Sequence, residues 1–248
     1  MNYFAHARRH LLSNQWMMGP GVQAGPYFLA GVALPDWLSV IDRRVRARSE
    51  PAARLLRDSD PRVVAVARGI IQHHFDDRWF HQTPEFLVLS SQFAVELRQW
   101  LDVEQGAQPG FVGHILVELL LDSSLILENP VVLDRYYKAL EQLDPQCVES
   151  VVNRVSKHPT DMVSRLIPRF IRERFLYDYQ EDAKLWMRLN HVMGRVKLPQ
   201  LPASLIDWLP EARRRVEEAK HQLMWAQDHD PPWDQFLQSL ETSPDKET

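Results

Sequence analysis

Gly69-Ile70-Ile71-Gln72-His73-His74-Phe75-Asp76-Asp77-Arg78-Trp79-Phe80-His81 is the stretch on which the reading of this chain turns. Residues four apart share one face of a helix. His73, Asp77 and His81 therefore form a stripe of imidazole, carboxylate and imidazole among apolar residues. A second stripe follows at the same interval: His114, Glu118 and Asp122, inside Phe111-Val-Gly-His-Ile-Leu-Val-Glu-Leu-Leu-Leu-Asp122. The expectation is that the two stripes face each other across a helical core and hold one or two metal ions.

The sequence around them reads as helix throughout. Only nine of 248 residues are glycine, and apolar residues recur at a 3.6-residue period. A capping side chain followed by proline recurs at Asp60-Pro61, Thr83-Pro84, Asn129-Pro130 and Asp144-Pro145, and each pair marks a helix start. Helices are expected at 61–80, 84–101, 110–128, 130–142 and 145–157. A helical region over 160–195 should be kinked or broken at Pro168, and a last helix covers 203–227. At the amino end, Asn2 is expected to cap a helix running to Asn14, and 19–26 to form a loop. The wholly apolar run Tyr27–Trp37 reads as buried, interrupted by a lone Asp36 after Pro35. The chain is thus expected to be all-α, one multi-helix domain over 1–240 with a disordered polar tail at 241–248.

Composition narrows the function. Hydrophobic residues make up 45% and charged residues 25%, an ordinary globular balance, and the formal net charge is −4. That charge argues against broad binding to nucleic acid. The single cysteine, Cys147, cannot form an internal disulfide, which points to a reducing, cytoplasmic setting. No run of eighteen consecutive apolar residues is present, so no transmembrane helix is expected. There is no Gly-rich phosphate loop, serine nucleophile elbow or cysteine-centred catalytic signature.

Imidazole and carboxylate are the ligands that zinc, manganese and iron take in hydrolases. Helical spacing lets His73 with Asp77, Asp77 with His81, and His114 with Glu118 reach a shared ion, and His6 and Asp36 add two polar residues in apolar surroundings. Burying so many carboxylates without a cation is costly. His74 and Asp76 lie off the main stripe and read as groups that orient a ligand imidazole, or as solvated side chains. Asp122 reads as a supporting residue of the same kind. Arg43 and Arg44 begin a basic run that could meet a substrate phosphate, though a solvated loop is the commoner meaning of such a run. Taken singly, a His–Asp pair on a helix is more often a surface pair or a buried hydrogen bond than a ligand set.

Several islands resemble the bacterial acyl carrier protein phosphodiesterases, which are similar to the HD-type metal-dependent phosphohydrolases. Met1-Asn2-Tyr3-Phe4-Ala5-His6, Leu34-Pro35-Asp36-Trp37, and Gly69-Ile70 followed by His73 and Asp77 resemble that family's elements. The pairing of His114 with Glu118 is more loosely similar to zinc-dependent phospholipases C. The resemblance spans roughly 1–125 and implies an all-helical fold and a divalent metal held by His6, Asp36, His73 and Asp77, with His114 added. His81 stands where the phosphodiesterases tend to carry an acidic residue.

The combined expectation is a metal-dependent phosphoester hydrolase. His6, Asp36, His73, Asp77, His81, His114 and Glu118 hold one or two ions of manganese, iron or zinc, and Asp77 and His73 serve the chemistry. The substrate would be a phosphoester carried on acyl carrier protein or on a lipid. A helical binding or scaffold protein with a vestigial or structural ion is the alternative from another class. A third reading makes the His–Asp pairs hydrogen-bonded core with no metal.

Overall fold

The computed structural model describes residues 1–13, 25–104, 106–225 and 238. Among these every regular element is helical, which makes the chain all-α. The helices are α1 (Tyr3–Ser13), α2 (Gly25–Ile41), α3 (Ser49–Ala53), α4 (Pro61–Phe80), α5 (Pro84–Leu97), α6 (Pro109–Glu128), α7 (Pro130–Leu140), α8 (Pro145–Val155), α9 (Val163–Glu173), α10 (Asp182–Val196) and α11 (Leu209–Met224). Short 3₁₀ turns cover Arg54–Arg57, Phe175–Gln180 and Ala203–Asp207.

The proline-marked starts behave as their chemistry requires. Thr83 accepts a hydrogen bond from the Phe86 amide and Asp144 one from Gln146, each ahead of a proline at the start of the helix. Three expectations are corrected. The loop expected over 19–26 ends earlier, because Gly25 and Pro26 already open α2; residues 19–24 and the 241–248 tail lie outside the described residues. Of the kink or break expected at Pro168, the break does not occur, since α9 runs through it. The break comes at Arg174, which sits in the left-handed region at φ 46° and turns the chain into the 175–180 segment. Asn2 is not the cap of α1. The Phe4 and Ala5 amides donate instead to the Asp122 carboxylate, while the Asn2 amide donates to the Tyr179 hydroxyl.

The described chain forms two units, neither continuous in sequence. The first comprises Met1–Ala5, Arg78–Leu133 and the described part of Arg174–Gln227. Here α6 packs on α5, on α11 and on the 175–180 turn. α6 has the length and apolar composition to cross a membrane, but 67% of its most apolar window is buried within the protein. A Cβ on Gly113 of α6 would meet the Ser90 carbonyl oxygen of α5 at 2.8 Å, so the two helices touch backbone to backbone beside His114.

The second unit comprises His6–Asp77 and Asp134–Glu173. α2 packs on α8 and α9, with Trp37 edge-on to Phe170 at 5.2 Å. The decisive contact is between α2 and α4. A Cβ on Gly31 would lie 2.2 Å from the Val66 carbonyl oxygen, and one on Gly69 would lie 2.2 Å from that of Phe28. Only glycine at both positions lets the helices come this close, one turn before His73.

Candidate metal centre and a carboxylate hub

The second unit gathers His6 from α1, Asp36 from α2 and His73 from α4, with ligand atoms all within 4.8 Å of one another. Both imidazoles are oriented through their other nitrogen. His73 Nδ1 lies 2.9 Å from the Val32 carbonyl oxygen, which can only accept, so Nδ1 carries a proton and Nε2 is the nitrogen turned to the cluster. The glycine crossing is what puts that carbonyl within reach. His6 Nδ1 lies 3.3 Å from Asp76 Oδ2, which favours the same tautomer. The two rings stack at 4.2 Å. Asp77 Oδ1 stands 3.3 Å from His6 Nε2, and its Oδ2 stands 3.4 Å from His73 Nε2.

These groups are largely enclosed, and two of their polar atoms are orphaned. The side-chain exposure of His6 is 0% and of His73 3%, whereas Asp77 keeps 30%. Among the described residues, Asp36 Oδ2 is buried without a hydrogen bond, and His6 Nε2 meets Asp77 too poorly aligned to make one. Burial pushes the Asp36 carboxyl above the usual range, only partly offset by His73 and His6. Burial alone would lower His6, but its contacts with Asp76 and Asp77 outweigh this and raise it to about 10. Burial would raise the Asp77 carboxyl, but the amino-terminal charge together with the imidazoles of His73 and His6 holds it well below the usual range. The cluster therefore gathers three carboxylates against two imidazoles, and a divalent ion bound there would take the place of the proton that charges His6. That donor set of nitrogen and carboxylate oxygen fits a zinc, manganese or iron ion better than magnesium or calcium, which prefer oxygen alone.

The first unit gathers His81, His114 and Glu118, and its accounting differs. Glu118 Oε1 lies 2.8 Å from His81 Nε2, 3.2 Å from His114 Nε2 and 2.9 Å from the Met1 amine. Every member of this hub has found a partner at one carboxylate oxygen. Burial raises the Glu118 carboxyl, but the Met1 amine, His114 and His81 together bring it far below the usual range. Phe86 packs against both rings, at 4.9 Å from His81 and 4.8 Å from His114. His81 and His114 remain 32% and 40% exposed in their side chains.

The expected site residues thus sort in an unexpected way. The stripe on α4 divides: His73 and Asp77 join His6 and Asp36, while His81 joins His114 and Glu118. His74 packs edge-on to His73 and bonds the Ala47 carbonyl oxygen at 2.7 Å; burial lowers its pKa. Asp76 is buried, not solvated, and its Oδ2 lies 3.3 Å from His6 Nδ1. Asp122, fully buried, accepts the Phe4 and Ala5 amides at the start of α1. Arg44 spends its guanidinium on Asp42 at 2.7 Å, and Arg43 is exposed beside it. Two contributors escape a reading by side-chain type. The Val32 carbonyl carries no sequence signal at all. Gln72 donates to Asp76 Oδ1 at 2.8 Å, and its i, i+4 spacing to Asp76 was the available clue.

No family model, no curated protein and no solved structure matches this chain, so the reading of its function rests on these two clusters.

Proposed function

We propose that the second unit binds a divalent transition-metal ion through His6, Asp36 and His73, and that the protein is a metal-dependent phosphoester hydrolase. The observation that carries the metal reading is the buried, unpartnered Asp36 Oδ2 set beside two imidazoles whose Nδ1 atoms are already engaged. A divalent ion bound there would supply Lewis acidity toward a phosphoryl oxygen and lower the pKa of a water. The Val32 carbonyl and the Asp76 carboxylate keep the His73 and His6 lone pairs turned inward. Asp77, ionised and more open than either imidazole, takes a proton from the attacking water. The water oxygen then forms the new P–O bond, the ester P–O bond breaks, and the departing oxygen is protonated by solvent. The similarity of the 1–125 islands to acyl carrier protein phosphodiesterases favours a phosphoester carried on a carrier protein as substrate.

The near-complete burial of His6 and His73 favours one further reading, a structural ion in a binding or scaffold protein. Metal-free protein reloaded separately with manganese, zinc and iron, then assayed on bis-p-nitrophenyl phosphate, separates the two. Hydrolysis that depends on the ion and disappears in Asp77→Asn supports the hydrolase. One bound equivalent with no hydrolysis of this or a lipid or carrier-protein phosphoester supports the structural ion. No bound metal rejects both.

A further inference from the structure

We infer that Gln72 is a positioning residue for the ion: acting through Asp76, it fixes the His6 imidazole with Nε2 facing Asp36 and His73. The inference rests on the metal reading of that cluster. The two imidazoles are held by unlike acceptors. His73 is held by a main-chain carbonyl inside α2, which the helix itself immobilises. His6 is held by the Asp76 side chain, which can rotate unless something stops it. Gln72 supplies a restraint at the oxygen that His6 does not use. It precedes Asp76 by one turn of α4, is 1% exposed, and donates its amide to Asp76 Oδ1 at 2.8 Å.

The two oxygens of Asp76 are thereby divided, one toward Gln72 and the other toward His6 Nδ1. A carboxylate pinned at one oxygen presents the other in a defined direction, and that direction sets the plane of the imidazole. Outer groups that orient ligand histidines in this way typically contribute about 10- to 100-fold to metal affinity. A glutamine that merely fills buried space predicts no such effect, because a side chain of similar length would replace it.

The test is a double-mutant cycle on Co²⁺ affinity, followed by visible absorption in metal-free protein, with Gln72→Met, Asp76→Asn and the double variant. Methionine keeps the length of glutamine and removes the donor. Each single variant is expected to weaken Co²⁺ about 10- to 100-fold, and the double variant to bind no more weakly than Asp76→Asn alone, because Gln72 acts only through Asp76. If Gln72→Met does not fold, Gln72→Glu keeps the volume and replaces the donor by an acceptor, with the same loss expected. Unchanged affinity in the Gln72 variant, or losses that multiply in the double variant, would overturn the inference while leaving the metal reading intact. Wild-type protein that binds no Co²⁺ would overturn the metal reading, and this inference with it.

Discussion

The two histidine–carboxylate clusters share residue types and helical spacing, yet they ask for opposite things. In the first unit, Glu118 Oε1 receives His81, His114 and the Met1 amine, so protonated nitrogen already balances the carboxylate. In the second, Asp36 Oδ2 has no donor among the described residues, and the outward nitrogens of the two imidazoles are engaged by the Val32 carbonyl and the Asp76 carboxylate. The difference lies in what surrounds each ring. In the second unit Nδ1 of each ring is held from outside and Nε2 is the atom turned to the cluster; in the first, Nε2 of both rings is already engaged by Glu118.

The sharpest way to break this comparison is to remove one ligand from each cluster. His73→Ala should abolish stoichiometric metal binding and, because binding couples to folding, erase the melting-temperature rise that the ion gives wild type. Glu118→Gln should leave metal content at the wild-type level while lowering stability by about 2 kcal/mol, the scale of a lost charge-assisted hydrogen bond. Atomic emission on the purified variants, paired with urea unfolding, separates the two outcomes. Gly69→Ala should cost about 3 kcal/mol, the upper range for overpacking, because its Cβ would lie 2.2 Å from the Phe28 carbonyl oxygen. It should weaken metal as well, by moving the Val32 carbonyl away from His73. Unfolding free energy and Zn²⁺ titration of this variant test both effects; full affinity would show that the crossing does not position the site.

A smaller effect sharpens the picture of the second unit. His10 is buried edge-on to Phe28 and accepts from Arg9 Nε; burial, reinforced by the Arg9 charge, lowers its pKa to about 3. The unfolded chain takes up this proton near 6.5 and the folded chain only near 3. The stabilisation from neutral His10 is therefore full above 6.5 and lost as pH falls toward 3, by up to ~1.4 kcal/mol per pH unit. In metal-free protein, His10→Leu should flatten the acid limb of stability over that window. Parallel curves for wild type and variant would contradict the assignment.

Much of this was legible in the sequence, for identifiable reasons. Helix starts could be read because proline and a capping side chain act locally, as Thr83 and Asp144 do. The ligand candidates could be read because i, i+4 spacing on α4 and α6 is also local. What could not be read was partnership. Nothing in the α4 stripe says that His73 and His81 belong to different clusters, since that depends on which helices the Gly31–Gly69 and Gly113 crossings bring close. Nor does spacing distinguish Asp122, which ends up holding the amides of α1, from Glu118 one turn earlier. The left-handed turn at Arg174 gives no warning either, because no glycine marks it.

The measurement that tests the central claim most directly is metal stoichiometry in three proteins prepared side by side: wild type, His6→Ala and His114→Ala. The account predicts one equivalent of a transition metal in wild type, none in His6→Ala, and one retained in His114→Ala. Metal that persists in His6→Ala and vanishes in His114→Ala would place the ion in the other cluster and contradict the account.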